Sequence, residues 1–199
     1  MNVNENRRKN KIVFDLETTG FPDKRGFDVY YDPSEIHKYR DARVVQIGWI
    51  VLSSNNEVLS KNSHIIYPKN FVITNDFIHG ITQERAVEEG KSIEDVIDIF
   101  TEDLKECDTL VSHNLVFDYN IFLSECFRCY KYNTVKEMKS KETYCTMRKG
   151  KEIFGISKYP KLIELVLRLL PDEKWNQVHD ALDDAEWCAK CYVELVKMR

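Results

Sequence analysis

Apolar positions along this chain switch between two periods. Ile12, Val13, Phe14 and Leu16 form a short apolar run that closes on Glu17-Thr18-Thr19-Gly20, which predicts a strand over 11–16 ending in a glycine turn. Apolar-rich runs at 44–52 and 58–67 predict two more strands, joined through Ser54-Asn55-Asn56-Glu57, so the chain begins antiparallel. After a short helix or turn at 72–77, Ser92 caps a helix running to about Cys107, with Ile93, Val96, Ile97, Phe100 and Leu104 at helical spacing. A strand at 110–113 then leads into a helix at 118–130, and 143–146 predicts a short last strand. The helix at 161–170 stops at Pro171, and the tail from 186 to 198 is helical, with Asp180 as its N-cap and Asp183 in its first turn. This order is α/β: a mixed β-sheet flanked by helices in a single domain at 11–199, after a polar extension at 1–10.

Residues 21–42 are the least regular stretch. Phe27, Tyr30, Tyr31 and Tyr39 alternate with charges there, and the length exceeds a simple connection, which predicts one lip of a binding cleft. The rings either stack on bases or anchor the loop to the core.

Candidate chemistry lies in three places. Asp15 and Glu17, two apart on a strand, share a face and repel each other unless a cation lies between them. Asp118 falls in the first turn of its helix. His179 lies just outside the last helix, and Asp184 lies inside it. Taken singly, each has an ordinary explanation: solvated strand-end charges, a carboxylate favoured by a helix dipole, or a satisfied histidine. Taken together, four carboxylates and one histidine suit metal-dependent phosphodiester cleavage.

These residues resemble the DEDDh group of 3′-to-5′ exonucleases over nearly the whole chain. Asp15 and Glu17 match the first motif, and Asp118 in His113-Asn114-x-x-Phe117-Asp118 matches the second. His179 with Asp184 five positions later, Ala181 included, matches the third, and Ile78-His79-Gly80-Ile81-Thr82 adds a further match. The resemblance implies a ribonuclease H-like fold and an enzyme releasing nucleoside 5′-monophosphates from the 3′ end of DNA, with a preference for single-stranded or frayed ends. It also implies two Mg2+ ions, replaceable by Mn2+, held by Asp15, Glu17, Asp118 and Asp184, with His179 as general base. Backbone groups around Leu16 and Thr18, the side chain of Thr18, and His79 would border the terminal nucleotide, with Asn114 and Phe117 supporting the site. RNA trimming by the same chemistry, and a nonhydrolytic nucleic-acid-binding or polymerase-associated subunit, are the alternatives; the intact set of five positions weighs against the latter.

Composition adds limits. The chain has 199 residues, 43% hydrophobic and 12% aromatic, enough for a sizeable core. A net charge of −4 runs against nucleic-acid binding, but acids that hold metal ions are partly neutralised, and an exonuclease grips only a few nucleotides. Candidate phosphate contacts are Lys24, Arg25, Lys38, Arg40, Arg43, Arg148, Lys149 and Lys151. The spacings Cys126-x-x-Cys129 and Cys188-x-x-Cys191 suit zinc, but both pairs fall in helix-like stretches and read as small buried groups. With no membrane-length apolar run and no secretory apolar centre near the N-terminus, the expected location is intracellular, cytoplasmic or nuclear, without a membrane partner.

Overall fold

All nine positions of Val44–Leu52 are buried without alternation, as in a strand covered on both faces. The computed structural model describes residues 10–26, 28–175 and 179–198, so most of the expected 1–10 extension lies outside the described residues. The chain runs β1 (Asn10–Thr18), β2 (Lys24–Gly26), β3 (Val29–Tyr30), β4 (Val44–Leu52), β5 (Val58–Ile65), α1 (Asp76–His79), α2 (Gln83–Glu89) and α3 (Ile93–Lys105). It continues with β6 (Cys107–Ser112), α4 (Leu115–Arg128), α5 (Tyr132–Ser140), β7 (Glu142–Cys145), α6 (Thr146–Phe154), α7 (Leu162–Leu169) and α8 (Ala181–Lys197). The main sheet has the order β5-β4-β1-β6-β7, antiparallel across β5-β4-β1 and parallel across β1-β6-β7. This is the expected mixed sheet in a single domain.

Alternation along β1 sorts its side chains between two layers. Ile12, Phe14 and Leu16 pack with Trp49, Phe100 and Phe122 in the core under α3 and α4. Phe100 is the hub, with ring centroids 5.8 Å from Phe14, 5.4 Å from Trp49 and 4.8 Å from Phe122, all near edge-to-face. Val13 instead joins Ile50, Val111, Cys188 and Tyr192 under α8. Asp15 and Glu17 share the parity of Val13, so both carboxylates point toward the α8 layer.

Several boundaries differ from the pattern. The helix expected at 118–130 begins three residues earlier, because Asn114 takes a left-handed turn (φ 65°) that starts α4 directly after β6. The short helix or turn expected at 72–77 is the helix α1, which begins only at Asp76 and is closed by Gly80 at φ 70°. Helices α5 and α6 were not legible. Only Thr146 and Gly150 of α6 are fully buried, and a Cβ at Gly150 would come within 2.7 Å of Leu165 Cδ1, so α6 lies close on α7, with Ile153 and Phe154 half-buried against the same cluster. The stretch 21–42 folds into the β2–β3 hairpin and a 3₁₀ turn, Ile36–Tyr39. Tyr39 is fully buried and donates to the Tyr31 carbonyl at 2.6 Å, while Arg25 and Lys38 lie over the Tyr31 ring. Those two tyrosines anchor the loop; Phe27 lies outside the described residues.

Candidate active site

Register places the first two acids. Asp15 pairs with Gly48 and Glu17 with Gln46 across β1 and β4. A Cβ at Gly48 would collide with the backbone of Ala181 and Leu182, so the start of α8 lies directly on β4 at that point. Asp180 caps the helix, its Oδ1 accepting from Leu182 N at 2.9 Å and Asp183 N at 3.2 Å, and its carbonyl accepts from Asp184 N at 2.9 Å. His179 is exposed just before the cap.

The result is a cluster. Glu17, His179 and Asp184 each offer a ligand atom, all within 4.8 Å of one another. Asp118, 3% exposed on α4, accepts from Ser112 Oγ at 2.7 Å. Burial pushes the Asp118 carboxyl up to about 8 against the pull of the Ser112 hydroxyl. Burial, reinforced by Asp184 and Asp180, raises Glu17 to about 7; burial, then Asp183 and Asp180, raises Asp184 to about 7. Asp15 is held well above the carboxylate range by burial and then by Asp118, Asp184 and Glu17. The charges that raise these groups are all carboxylates. A divalent cation among such oxygens would remove both the repulsion and part of the desolvation cost, so the donor set fits a hard metal ion, with His179 Nε2 or Nδ1 also in range.

The remaining expected positions surround this cluster. Thr18, 9% exposed, donates from Oγ1 to the Gly20 carbonyl at 2.9 Å, and its own carbonyl accepts from Asn75 Nδ2 at 2.8 Å, tying the start of α1 to the end of β1. His79 is buried; its Nδ1 accepts from Ile81 N at 3.2 Å, leaving Nε2 to carry the proton with no partner among the described residues. Leu16 packs into the core, so its side chain does not face the cluster. Asn114 acts through its backbone conformation and makes no side-chain cap bond. His113 is a strut: Nε2 lies 3.0 Å from the Pro160 carbonyl and Nδ1 3.0 Å from Thr146 Oγ1. A carbonyl only accepts, so Nε2 carries the proton, and burial lowers this histidine to about 4.

Two features escaped the sequence reading. Phe21 follows the first motif, is 75% exposed and leans on Phe117 with ring centroids 5.7 Å apart. Gln46 is a buried polar residue whose side chain bonds Asp180 and the backbone of Ala181. A glutamine inside a wholly apolar strand was the available signal. Of the candidate cations, Arg43 is buried against Glu125, while Arg25, Lys38, Arg148 and Lys149 pair with Glu35, Asp23, Asp28 and Glu152. Cys126, Cys188 and Cys191 are buried core groups. Among the described residues no helix is long and apolar enough to cross a membrane.

The exonuclease family RNase_T matches residues 12–192. The chain is 31% identical over 188 residues to the DNA polymerase III subunit epsilon of Rickettsia conorii, covering 94% of this chain and 73% of that one. Its fold is similar to that of E. coli exonuclease I solved with a dT13 oligonucleotide, at TM-score 0.72 and 16% identity, covering 96% of this chain but 41% of exonuclease I. It is also similar to exonuclease X solved with 5′ overhanging duplex DNA, at TM-score 0.61 and 19% identity, over 94% of this chain and 91% of that one. The motifs, the mixed sheet that aligns them and these similarities together place the chain in the DEDDh-type 3′-to-5′ exonuclease family.

Proposed function

We propose that this chain is a metal-dependent exonuclease that releases nucleoside 5′-monophosphates from the 3′ end of DNA, favouring single-stranded or frayed ends. The observation that carries this reading is the convergence of buried, mutually repelling carboxylates with an exposed histidine: ligand atoms of Glu17, His179 and Asp184 lie within 4.8 Å of one another. Asp15, Glu17, Asp118 and Asp184 would hold two divalent ions, magnesium with manganese able to substitute, which supply an acidified water and charge compensation at the phosphate.

His179, on a loop before the α8 cap, takes a proton from the attacking water. Its place outside the helix lets the ring approach a substrate while Asp184 stays fixed. Thr18 and the Nε2–H of His79 border the terminal nucleotide, and the exposed Phe21 ring offers a stacking face. DNA is favoured over RNA because exonucleases I and X were both solved with DNA and the epsilon relatives are subunits of a DNA polymerase.

Hydrolysis of matched 5′-labelled DNA and RNA single strands with magnesium tests this. The unsubstituted chain should shorten DNA from the 3′ end, and Asp15→Asn and His179→Ala should not do so at a comparable rate. Equal activity in all three rejects the reading, and RNA shortened in preference to DNA replaces the substrate. Binding without hydrolysis in the unsubstituted chain would point to the nonhydrolytic subunit instead.

A further inference from the structure

We infer that Gln46 is a positioning residue that holds His179 in place through Asp180, an assignment that rests on the exonuclease reading above. Gln46 is 3% exposed on β4, directly opposite Glu17 in the β1–β4 register. Its Nε2 donates to Asp180 Oδ2 at 2.7 Å and to Ser63 Oγ at 3.1 Å, while its Oε1 accepts from Ala181 N at 3.1 Å. Both ends of one amide are therefore engaged by two consecutive residues at the start of α8. Asp180 is fully used in turn, with Oδ1 capping the helix and Oδ2 taking the Gln46 bond.

The clasp matters because of what lies on either side of it. Asp184 and the rest of α8 are held by the helical ladder and by the packing of Cys188, Ala189 and Tyr192 against the sheet. His179 precedes the cap and lies outside that ladder. The Gln46–Asp180 bond is the side-chain anchor one residue away, and it ties this end of the helix to the strand position facing Glu17. Gly48, two residues along the same strand, lets the α8 backbone come close enough for the amide to reach. The geometry thus ties the residue next to His179 to the Glu17 strand through the Gln46 side chain.

Gln46→Leu keeps the bulk and removes all three bonds. On a magnesium-supported single-stranded DNA substrate, kcat should fall about 10- to 100-fold, as small misplacements of a catalytic group do, with KM and the half-saturating magnesium concentration within about threefold of the unsubstituted enzyme. Single-turnover rates in a His179→Ala background give the decisive comparison: adding Gln46→Leu there should cost less than about threefold, because the group it positions is already gone. A loss of equal size in both backgrounds marks a general packing fault and overturns the assignment, as does full kcat in a folded Gln46→Leu enzyme. If circular dichroism shows Gln46→Leu unfolded, Asp180→Asn takes its place; an amide there still caps α8 through its oxygen but turns an NH2 toward Gln46, and the same two backgrounds decide. Inactivity of the unsubstituted enzyme is a different result: it rejects the exonuclease reading, and this assignment falls with it.

Discussion

Asp118 and Glu125 lie about two turns apart on α4, both nearly sealed from solvent, in opposite electrical settings. Glu125 is 1% exposed and holds Arg43 through bonds of 2.5 and 3.2 Å, with Arg128 Nε at 3.2 Å. Its charge is matched on the spot, and Arg43 also lies over the Phe71 ring. Asp118 has a neutral serine hydroxyl as its side-chain partner and faces Asp15 and Glu17. Burial alone therefore does not mark a site. A buried acid that the chain itself neutralises joins parts of the chain together, here the residue just before β4 to α4. A buried acid surrounded by others leaves an unmet demand for positive charge, and an external cation can meet it.

Exchanging the two settings tests the contrast. Asp15→Asn should lower kcat/KM by about 10⁴-fold, roughly 5 kcal/mol of barrier, yet leave the metal-free fold as stable as before or more so, since it removes one of several repelling charges. Steady-state kinetics paired with urea denaturation reads both quantities; a large loss of stability would place Asp15 in the Glu125 class. Glu125→Ala should do the reverse, costing about 3–5 kcal/mol of stability by stranding Arg43, with kcat per folded molecule preserved. A cost below about 1 kcal/mol would show that the pair is screened like a surface bridge.

A smaller effect should follow from pH. The folded-state values of Glu17 and Asp184, about 7, and of Asp118, about 8, lie above their ordinary values of 4.5 and 3.8. A raised carboxyl binds more protons folded than unfolded, so its stabilising contribution is complete below about pH 4 and disappears as pH rises through 7 to 8. Metal-free Tm should therefore fall over that window, by roughly 4–8 °C, or about 2 kcal/mol for a chain of this size. Asp15→Asn should flatten the fall, and a wild-type Tm that rises across the window would contradict the clustering of these acids.

How much of this was legible depended on whether position followed from local rules. Asp15 and Glu17 fall on one face because strands alternate, and Asp180 was readable as a cap because its side chain bonds amides two and three residues ahead. The edges of β4 and the stopping of α7 before Pro171 also followed from the pattern, whereas β1 extends through Thr18, two residues past its expected end. Gln46 could not be assigned this way, since its partners at the start of α8 are 134 and 135 positions away. Helix α6 was hidden because Gly150 is a poor helix former in isolation and is explained only by the approach of Leu165. Leu16 sits between two site acids, but alternation sends its side chain into the opposite core, so only its backbone is left to border the cluster.

The central claim is that the acids around Asp15 form a cation site that the chain leaves unneutralised. Manganese binding at pH 8, followed by the electron paramagnetic signal of the free ion, tests it most directly. The account predicts saturable binding by the unsubstituted protein and by Glu125→Ala under conditions where that variant is folded, with binding abolished or weakened at least about tenfold in Asp15→Asn. Equal manganese uptake by the unsubstituted protein and Asp15→Asn, or saturable binding by neither, would contradict it.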